Sequence, residues 1–429
     1  MLTNDLYFTM MDYMTYEDFY KLLISSKTTY RLNDLFVVKY FHDIDIKILV
    51  EHNRFDLIKL LHNNNIGVFS QNILSFACLF GNLEIIKFLI ENKKDDCTDW
   101  TMNLLASNGH LDAIKWLHKN RNSGCTKWAM DNAARNGHLH VVKWLHKNRN
   151  EGCTTRAMVY AARFGHLHIV KWLHKNRDEG CTDNAMDLAA EYGHLHIVKW
   201  LHKNRDEGCT TNAMDHAAGR GHLEIVKWLH KNRIEGCTTR AMNYAAGRGY
   251  LETVKWLHKN RNEGCTYNAM DLAAEYGHLH VVKWLHKNRS EGCTTHAMNY
   301  AAGHGHLEIV KWLHNNRSEG CTTHAMDYAA ERGSLEVIEW LYENRKEGCS
   351  VLAINLAIEH GHLPVIKFLH KNYDIKYFKS IVYAVVKKKH LEIIKWIYEN
   401  SDDRIRNDII TTAIKHDYQE VIELRYTKK

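Results

Sequence analysis

Cysteine and histidine are the residues of this sequence best equipped for metal or redox chemistry, and both fall on a fixed spacing. Cysteines recur every 28 residues from Cys97 through Cys125 and Cys153 to Cys349. Histidines form two rows, one after glycine (His138, His166, His194, His222) and one in Trp-Leu-His (His146, His174, His202, His230). Zinc or disulfide chemistry would need these side chains to converge. Two zinc ligands lie within roughly 5 Å of each other, and bridged cysteines have Cα atoms within about 7 Å. Neighbouring helices pack roughly 8–10 Å apart, so a row with one member per repeat is too open for either. No Cys-x-x-Cys occurs, and the thiols read as small buried side chains in a reducing compartment. The close histidine pairs His138/His140, His166/His168, His194/His196 and His278/His280 have Glu224, Glu252 or Glu308 at the second position in other copies. That pattern suits turn histidines bonded to backbone, and no metal or other cofactor is expected.

Catalysis finds no better footing. There is no GxxxxGK[ST] phosphate loop, no GxSxG elbow and no HExxH. A catalytic centre needs different groups converging on one point, whereas here one set of residues returns copy after copy. The chain is not expected to be an enzyme. Asn288-Arg289-Ser290 and Asn316-Arg317-Ser318 fit the glycosylation sequon, but unpaired cysteines argue against secretion, and the sequons read as chance.

The elements that hold these rows follow from the same period. Trp116, Trp144, Trp172, Trp200, Trp228, Trp256, Trp284, Trp312 and Trp340 are 28 residues apart, and the register runs through Phe368 and Trp396, back to Phe88 and Leu60, and forward to Leu424. That is 14 copies, the signature of a solenoid. Within a copy, "AMDxAAxxG" predicts a short first helix, as at Ala185, Met186, Asp187, Ala189, Ala190 and Gly193, with a polar residue such as Asn184 capping its start and the glycine ending it. "HLxIVKWLHKN" predicts a second helix with an apolar stripe of Leu195, Val198 and Leu201, flanked by Ile197 and Trp200, which Gly208 and its equivalents end. The single proline, Pro364, falls in the first turn of such a helix, where a missing N–H costs least. One copy buries too few apolar side chains to offset the ordering of its own backbone, so neighbours must supply the rest. The Ala189-Ala190 pair suits close helix stacking.

These residues resemble ankyrin repeats, whose TPLHxAAxxGHxxVVxLLL pattern encodes a helix pair. Ala185-Met186-Asp187 stand where the family has Pro-Leu-His, while Ala189-Ala190, Gly193-His194 and Ile197-Val198 match its Ala pair, Gly-His and paired valines. The resemblance implies an all-α, ankyrin-type helical-hairpin solenoid over residues 37–429, with about 14 repeats degenerate at both ends. The family's period is about 33, so the projecting finger between repeats is expected to be trimmed to a tight Glu-Gly-Cys-Thr turn. The changes to Ala and Asp put the family's capping bonds in question. The WLHxNRxEGCT phrase is similar to ankyrin-type arrays encoded by large DNA viruses of amoebae and by some amoebal and oomycete genomes; the viral likeness implies a role in virus–host interaction.

Residues 1–36 stand outside the array. "DYMTYEDFYKLLISSKTTYRL", Asp12 to Leu32, resembles an F-box in its "YEDF" and "LLISSK", without the Leu-Pro that usually opens one. That resemblance implies a Skp1-like adaptor as partner and a role in recruiting substrates to a cullin ubiquitin ligase. The alternative is a helical cap over the first repeat's apolar face.

Comparison among copies separates frame from variation. Lys199, Trp200, Leu201, His202, Asn204 and Arg205 scarcely change between copies, whereas first-helix positions spaced i, i+4, i+7 and i+8 differ. They hold Arg156, Tyr160, Arg163 and Phe164 in one copy; Asn184, Leu188, Glu191 and Tyr192 in the next; then Asn212, His216, Gly219 and Arg220; then Arg240, Tyr244, Gly247 and Arg248. This spacing puts them on one helix face, and the resemblance makes that face the lining of a concave groove. The expected partner-binding residues are Trp128, Arg156, Tyr160, Arg163, Phe164, Tyr192, His216, Arg220, Arg240, Tyr244, Arg248, Tyr276, Tyr300 and Tyr328, types that dominate interface energetics.

Composition sets the remaining bounds. An apolar fraction of 45% excludes wholesale disorder. Lys plus Arg number 57 against 50 Asp plus Glu, a net charge of +7 spread along the chain and interleaved with acids, which weighs against nucleic acid as partner. No membrane span and no signal sequence are legible. The expectation is a monomer in the cytoplasm, the host cytoplasm for a viral protein, or in the nucleus.

Overall fold

The computed structural model describes residues 46–65, 72–92, 98–121, 124–373 and 379–426. The F-box-like stretch lies outside the described residues. The chain divides into two compact units, Met1–Gly208 and Cys209–Lys429. Among the described residues it forms 28 α-helices, one short 3-10 helix and no strand. The helices pair into hairpins, from Ile46–Glu51 with Phe55–Asn63 to Leu195–Asn204 in the first unit, and from Thr211–Gly219 with Leu223–Asn232 onward in the second. In each unit first helices pack directly on the first helices of the next copies, and second helices touch more sparsely. Thr155–Arg163 followed by Leu167–Asn176 shows the plan.

Local chemistry explains each boundary. The Thr154 backbone is extended, and its hydroxyl accepts from the Arg156 N–H at 3.1 Å; Thr126, Thr210, Thr238, Thr294 and Ser350 do the same for their helices. In the copy at residue 184 the expected cap is displaced. Asn184 is already helical with its side chain exposed, and the Asp183 carboxylate accepts from the Asn184 N–H at 2.8 Å. The first helices end as the glycine predicts: Gly193 has φ +88°, its N–H reaches the Ala190 carbonyl, and the His194 N–H reaches the Ala189 carbonyl.

Packing follows the repeat with one shift. Ala185, Met186, Ala189 and Ala190 are buried on the first helix, and Ile197, Val198 and Leu201 on the second. Ile197 therefore takes the core position expected of Leu195. Leu195 is the first residue of its helix and sits half-buried at the edge of the core. Pro364 lies in the first turn of Leu363–Asn372.

The connection between copies is short, as the 28-residue period requires, and its backbone makes no hydrogen bond within itself. From Arg177 to Thr182 the chain is open, bent at Asp178 and left-handed at Gly180 (φ +68°), and it closes no turn of its own. The second helices end earlier than Gly208 and its equivalents, at Asn204 and its counterparts. Side chains of adjoining copies satisfy the linker backbone instead. Thr154 donates its N–H and hydroxyl to the two oxygens of Asp131, at 2.8 and 2.7 Å, and the Cys153 N–H points to Glu179 Oε1 at 3.4 Å. The second unit repeats the first of these bonds at Asp215 with Thr238 and Asp271 with Thr294. Asn performs the same task with one bond reversed: Asn103 Oδ1 accepts from the Thr126 N–H at 3.0 Å while its Nδ2 donates to the Thr126 hydroxyl at 2.9 Å. Asn243 and Asn299 repeat that version. Asp131 and its equivalents thus supply a capping link between adjoining copies.

This exchange predicts a contrast at one position. Asp131→Ala strands two donors of half-buried Thr154, at up to about 1–3 kcal/mol for each group left unsatisfied, whereas Asp131→Asn changes stability little because Asn already fills the role elsewhere. Urea midpoints measure both, and an unchanged midpoint for the alanine variant would contradict the link.

Candidate partner-binding face

The cysteine and histidine rows are structural in this fold. Cys125 to Cys321 are buried and form no disulfide among the described residues. Burial, with the next copy's glutamate second, pushes the Cys153 thiol up to about 12 and Cys125 up to about 11. Among the described residues no group of three or more His, Cys, Asp or Glu is placed to hold a metal ion. The Gly-His histidines donate from Nε2 to the first helix of the preceding copy: His166 to the Arg135 carbonyl at 3.1 Å and His194 to the Arg163 carbonyl at 3.0 Å, and in the second unit His362 to the Glu331 carbonyl at 2.9 Å. The Trp-Leu-His histidines stand edge-on to the next tryptophan, His146 on Trp172 at 5.2 Å, and accept at Nδ1 from the next linker arginine, Arg177 at 3.4 Å. His258, Trp284 and Arg289 repeat this in the second unit.

Those linker arginines complete a clamp. Arg149, Arg177 and Arg205 each pair with the glutamate two residues on, Glu151, Glu179 and Glu207. The guanidinium covers the preceding copy's left-handed glycine so closely that a Cβ on Gly180 would stand 2.6 Å from Arg205 Nη2. Burial pushes the Glu179 carboxyl up, but the Arg177 guanidinium and backbone N–H groups outweigh it and hold the carboxyl at about 2.

The face left over is built by the first helices. In the first unit Trp128, Arg156 and Phe164 are exposed, and Tyr160, Arg163 and Tyr192 are half-buried. The guanidinium of Arg135 lies over the Tyr160 and Phe164 rings at 5.7 and 5.2 Å, and that of Arg163 over Phe164 and Tyr192 at 5.3 and 4.7 Å. Arg163 Nη2 also donates to the Tyr192 hydroxyl. The structure thus brings Tyr160, Arg163, Phe164 and Tyr192 into one stacked cluster. Sequence reasoning missed the cluster's fifth member Arg135, although Arg135 occupies the column of Arg163, and missed exposed Trp100, which occupies the column of Trp128.

In the second unit Arg220, Arg240, Tyr244, Arg248 and Tyr276 are exposed, while His216, Tyr300 and Tyr328 are half-buried. Tyr300 and Tyr328 stack with centroids 5.8 Å apart and planes 5° from parallel, and His296 stacks on Tyr300 at 5.5 Å. His216 stacks on Tyr244 at 6.2 Å, and Tyr276 meets His304 at 6.4 Å. Arg240 stands apart from these ring contacts, its backbone N–H capped by Thr238. Glycine admits some of these approaches: a Cβ on Gly303 would lie 2.8 Å from the Tyr328 Cβ, and one on Gly219 equally near the Tyr244 Cβ.

The family profile described as Ankyrin repeats (3 copies) matches residues 46–131, 130–215, 186–271, 213–296 and 270–354. The chain belongs to the ankyrin-repeat family. Members of that family serve as non-enzymatic binding scaffolds. No curated protein matches this ankyrin-repeat chain. Among solved structures it is similar to the pentatricopeptide repeat protein PPR10 in complex with an 18-nt psaJ RNA element, with 11% identity, a TM-score of 0.37 and coverage of 92% of this chain and 72% of that one. The pentatricopeptide repeat protein PPR10 from maize gives 9% identity, a TM-score of 0.34 and coverage of 97% and 78%. Likeness that loose says nothing of a ligand. Among the described residues no helix of this ankyrin-repeat protein is long and apolar enough to cross a membrane.

Electrostatics of the clamps set a pH dependence. Glu151 and Glu179 sit at about 2, and Glu207, Glu235, Glu263, Glu291, Glu319 and Glu347 are also lowered. A carboxyl depressed by folding contributes stability that is full above its unfolded value near 4.5 and is lost as pH falls toward 2. Burial lowers His138, His166, His278 and His306, so their contribution begins to fall below about 6.5. Burial raises Asp131 and Asp271, which act in the opposite sense. The clamps outnumber them, so urea midpoints should drop modestly from about pH 7 to 5 and steeply below about 4.5. A midpoint flat down to about pH 3 would show that the ion pairs hold nothing.

Proposed function

We propose that the chain is a non-enzymatic scaffold that holds a protein partner along the exposed face of its first helices. One observation carries this reading: the positions that vary from copy to copy lie on that face, while the clamp and cap residues repeat almost unchanged. Drift on a tolerant surface would spread variation over the second helices too, yet Lys199, exposed and outside any clamp, is lysine in most copies. Asn204 has its own reason to stay, since its amide donates to the Trp200 carbonyl at 2.7 Å. Variable, exposed side chains on a rigid frame are where recognition usually sits, and tyrosine and arginine suit it. The likeness of the WLHxNRxEGCT phrase to arrays of large DNA viruses supports a virus–host contact as the setting of this proposed scaffold. The test replaces Tyr160, Arg163, Tyr192, Tyr244 and Arg248 together by Ala. Capture of a partner from host lysate should be abolished while the helical circular dichroism persists, and full capture by the variant would refute the reading.

The F-box-like "YEDF" and "LLISSK" of residues 12–32 support a second reading, a substrate adaptor that joins a cullin ubiquitin ligase through residues 1–36. Pull-down of the full chain should then recover a Skp1-like adaptor that a chain lacking residues 1–36 loses. Absence of such a protein from the full-chain sample removes this reading and leaves the scaffold intact.

A further inference from the structure

In the first unit the binding face changes character from copy to copy. Trp100 and Trp128, 55% and 53% exposed, stand at equivalent positions on the adjoining helices Asp99–Ser107 and Lys127–Arg135. Beyond them come three arginines, Arg135, Arg156 and Arg163. No carboxylate among the described residues lies within ion-pair distance of any of the three, whereas Arg149, Arg177 and Arg205 in the linkers of the same unit are all paired. Rings cover the guanidinium faces of Arg135 and Arg163. A guanidinium stacked in this way keeps its N–H edge for an acceptor, and that edge matches a carboxylate with two parallel bonds. Arg163 Nε is buried with no hydrogen-bond partner. With Nη2 also donating to the Tyr192 hydroxyl, Arg163 offers an incoming carboxylate its remaining Nη hydrogens, while exposed Arg135 offers its whole edge.

We infer that this face takes an acidic peptide segment of the protein partner, with carboxylates on the edges of Arg135 and Arg163 and a large apolar side chain beside Trp128. The inference rests on the scaffold reading and names the chemistry of its partner. A peptide fits better than a nucleic-acid strand. In the first unit the unpaired arginines of this face are confined to two adjoining copies, and Asn132, Asn184, Leu188 and Glu191 share the face with them. A polyanion binds through phosphates neutralised along its length, which this face does not offer.

The test selects peptides from a random phage-displayed library on the immobilised full chain, then measures labelled synthetic peptides by fluorescence anisotropy beside a homopolymeric uridine RNA. Selected peptides should carry Asp or Glu runs next to an aromatic or large aliphatic residue. Replacing their Glu by Gln, or the protein's Arg135 and Arg163 by Ala, should weaken binding about tenfold or more. Arg163→Lys, which keeps the charge but not the fork, should fall between. Unchanged circular dichroism and urea midpoints show that the variants fold. Selection of peptides without acidic residues, no selection at all, acidic peptides that bind the double-alanine variant equally well, or RNA binding that depends on these arginines when peptide binding does not would each overturn the inference. Loss of lysate capture in the five-residue variant together with non-acidic selected peptides would leave the scaffold standing and remove only the acidic partner.

Discussion

A linker that closes no turn of its own must find its hydrogen bonds elsewhere, and in this protein it finds them in the copies on either side. Asp131 accepts from the Thr154 N–H and hydroxyl, and Glu179, held by Arg177, reaches back to the Cys153 N–H. Buried backbone N–H groups are costly when unpaired. Each copy is therefore incomplete alone in its polar groups as well as in its apolar core. The glycine beneath each guanidinium, the histidine edge on each tryptophan and the shortened 28-residue period belong to the same arrangement, because a short open linker leaves its backbone within reach of neighbouring side chains.

The division of labour between faces follows. Clamp and cap residues have partners in adjoining copies, so a change in one copy disturbs two. Face positions on the first helices meet their neighbours through side-chain stacking alone and leave the linker backbone untouched. They have diversified into an Arg–aromatic stack around Arg163 and Tyr192 in the first unit and a Tyr–His stack around Tyr300 and Tyr328 in the second. Both remain accessible, and both are built from side chains that give large contact area for little loss of freedom.

The period, the hairpins, the Schellman ends at glycines such as Gly193 and the buried alanine pairs were legible in the sequence, because each is a short-range consequence of residue type and spacing. The candidate face was legible as columns, since i, i+4, i+7 and i+8 geometry needs only one helix. What the sequence hid were relations between copies. Nothing local says that Asp131 meets Thr154, that the His166 ring reaches the Arg135 carbonyl, or that Ile197 displaces Leu195 from the core. Arg135 was missed because its role arises from rings contributed by the next copy.

The glycines of the first helices carry a further consequence. In the second unit Gly219 and Gly303 let the next copy's tyrosine Cβ come to where a methyl group could not fit, while the same column holds Glu275 and Glu331 in other copies. Side-chain size in that single column therefore acts as a shim between adjoining hairpins. The same column holds Arg135 and Arg163 in the first unit, so one letter of the repeat sets both how near the next first helix can come and what the face presents, without touching a clamp.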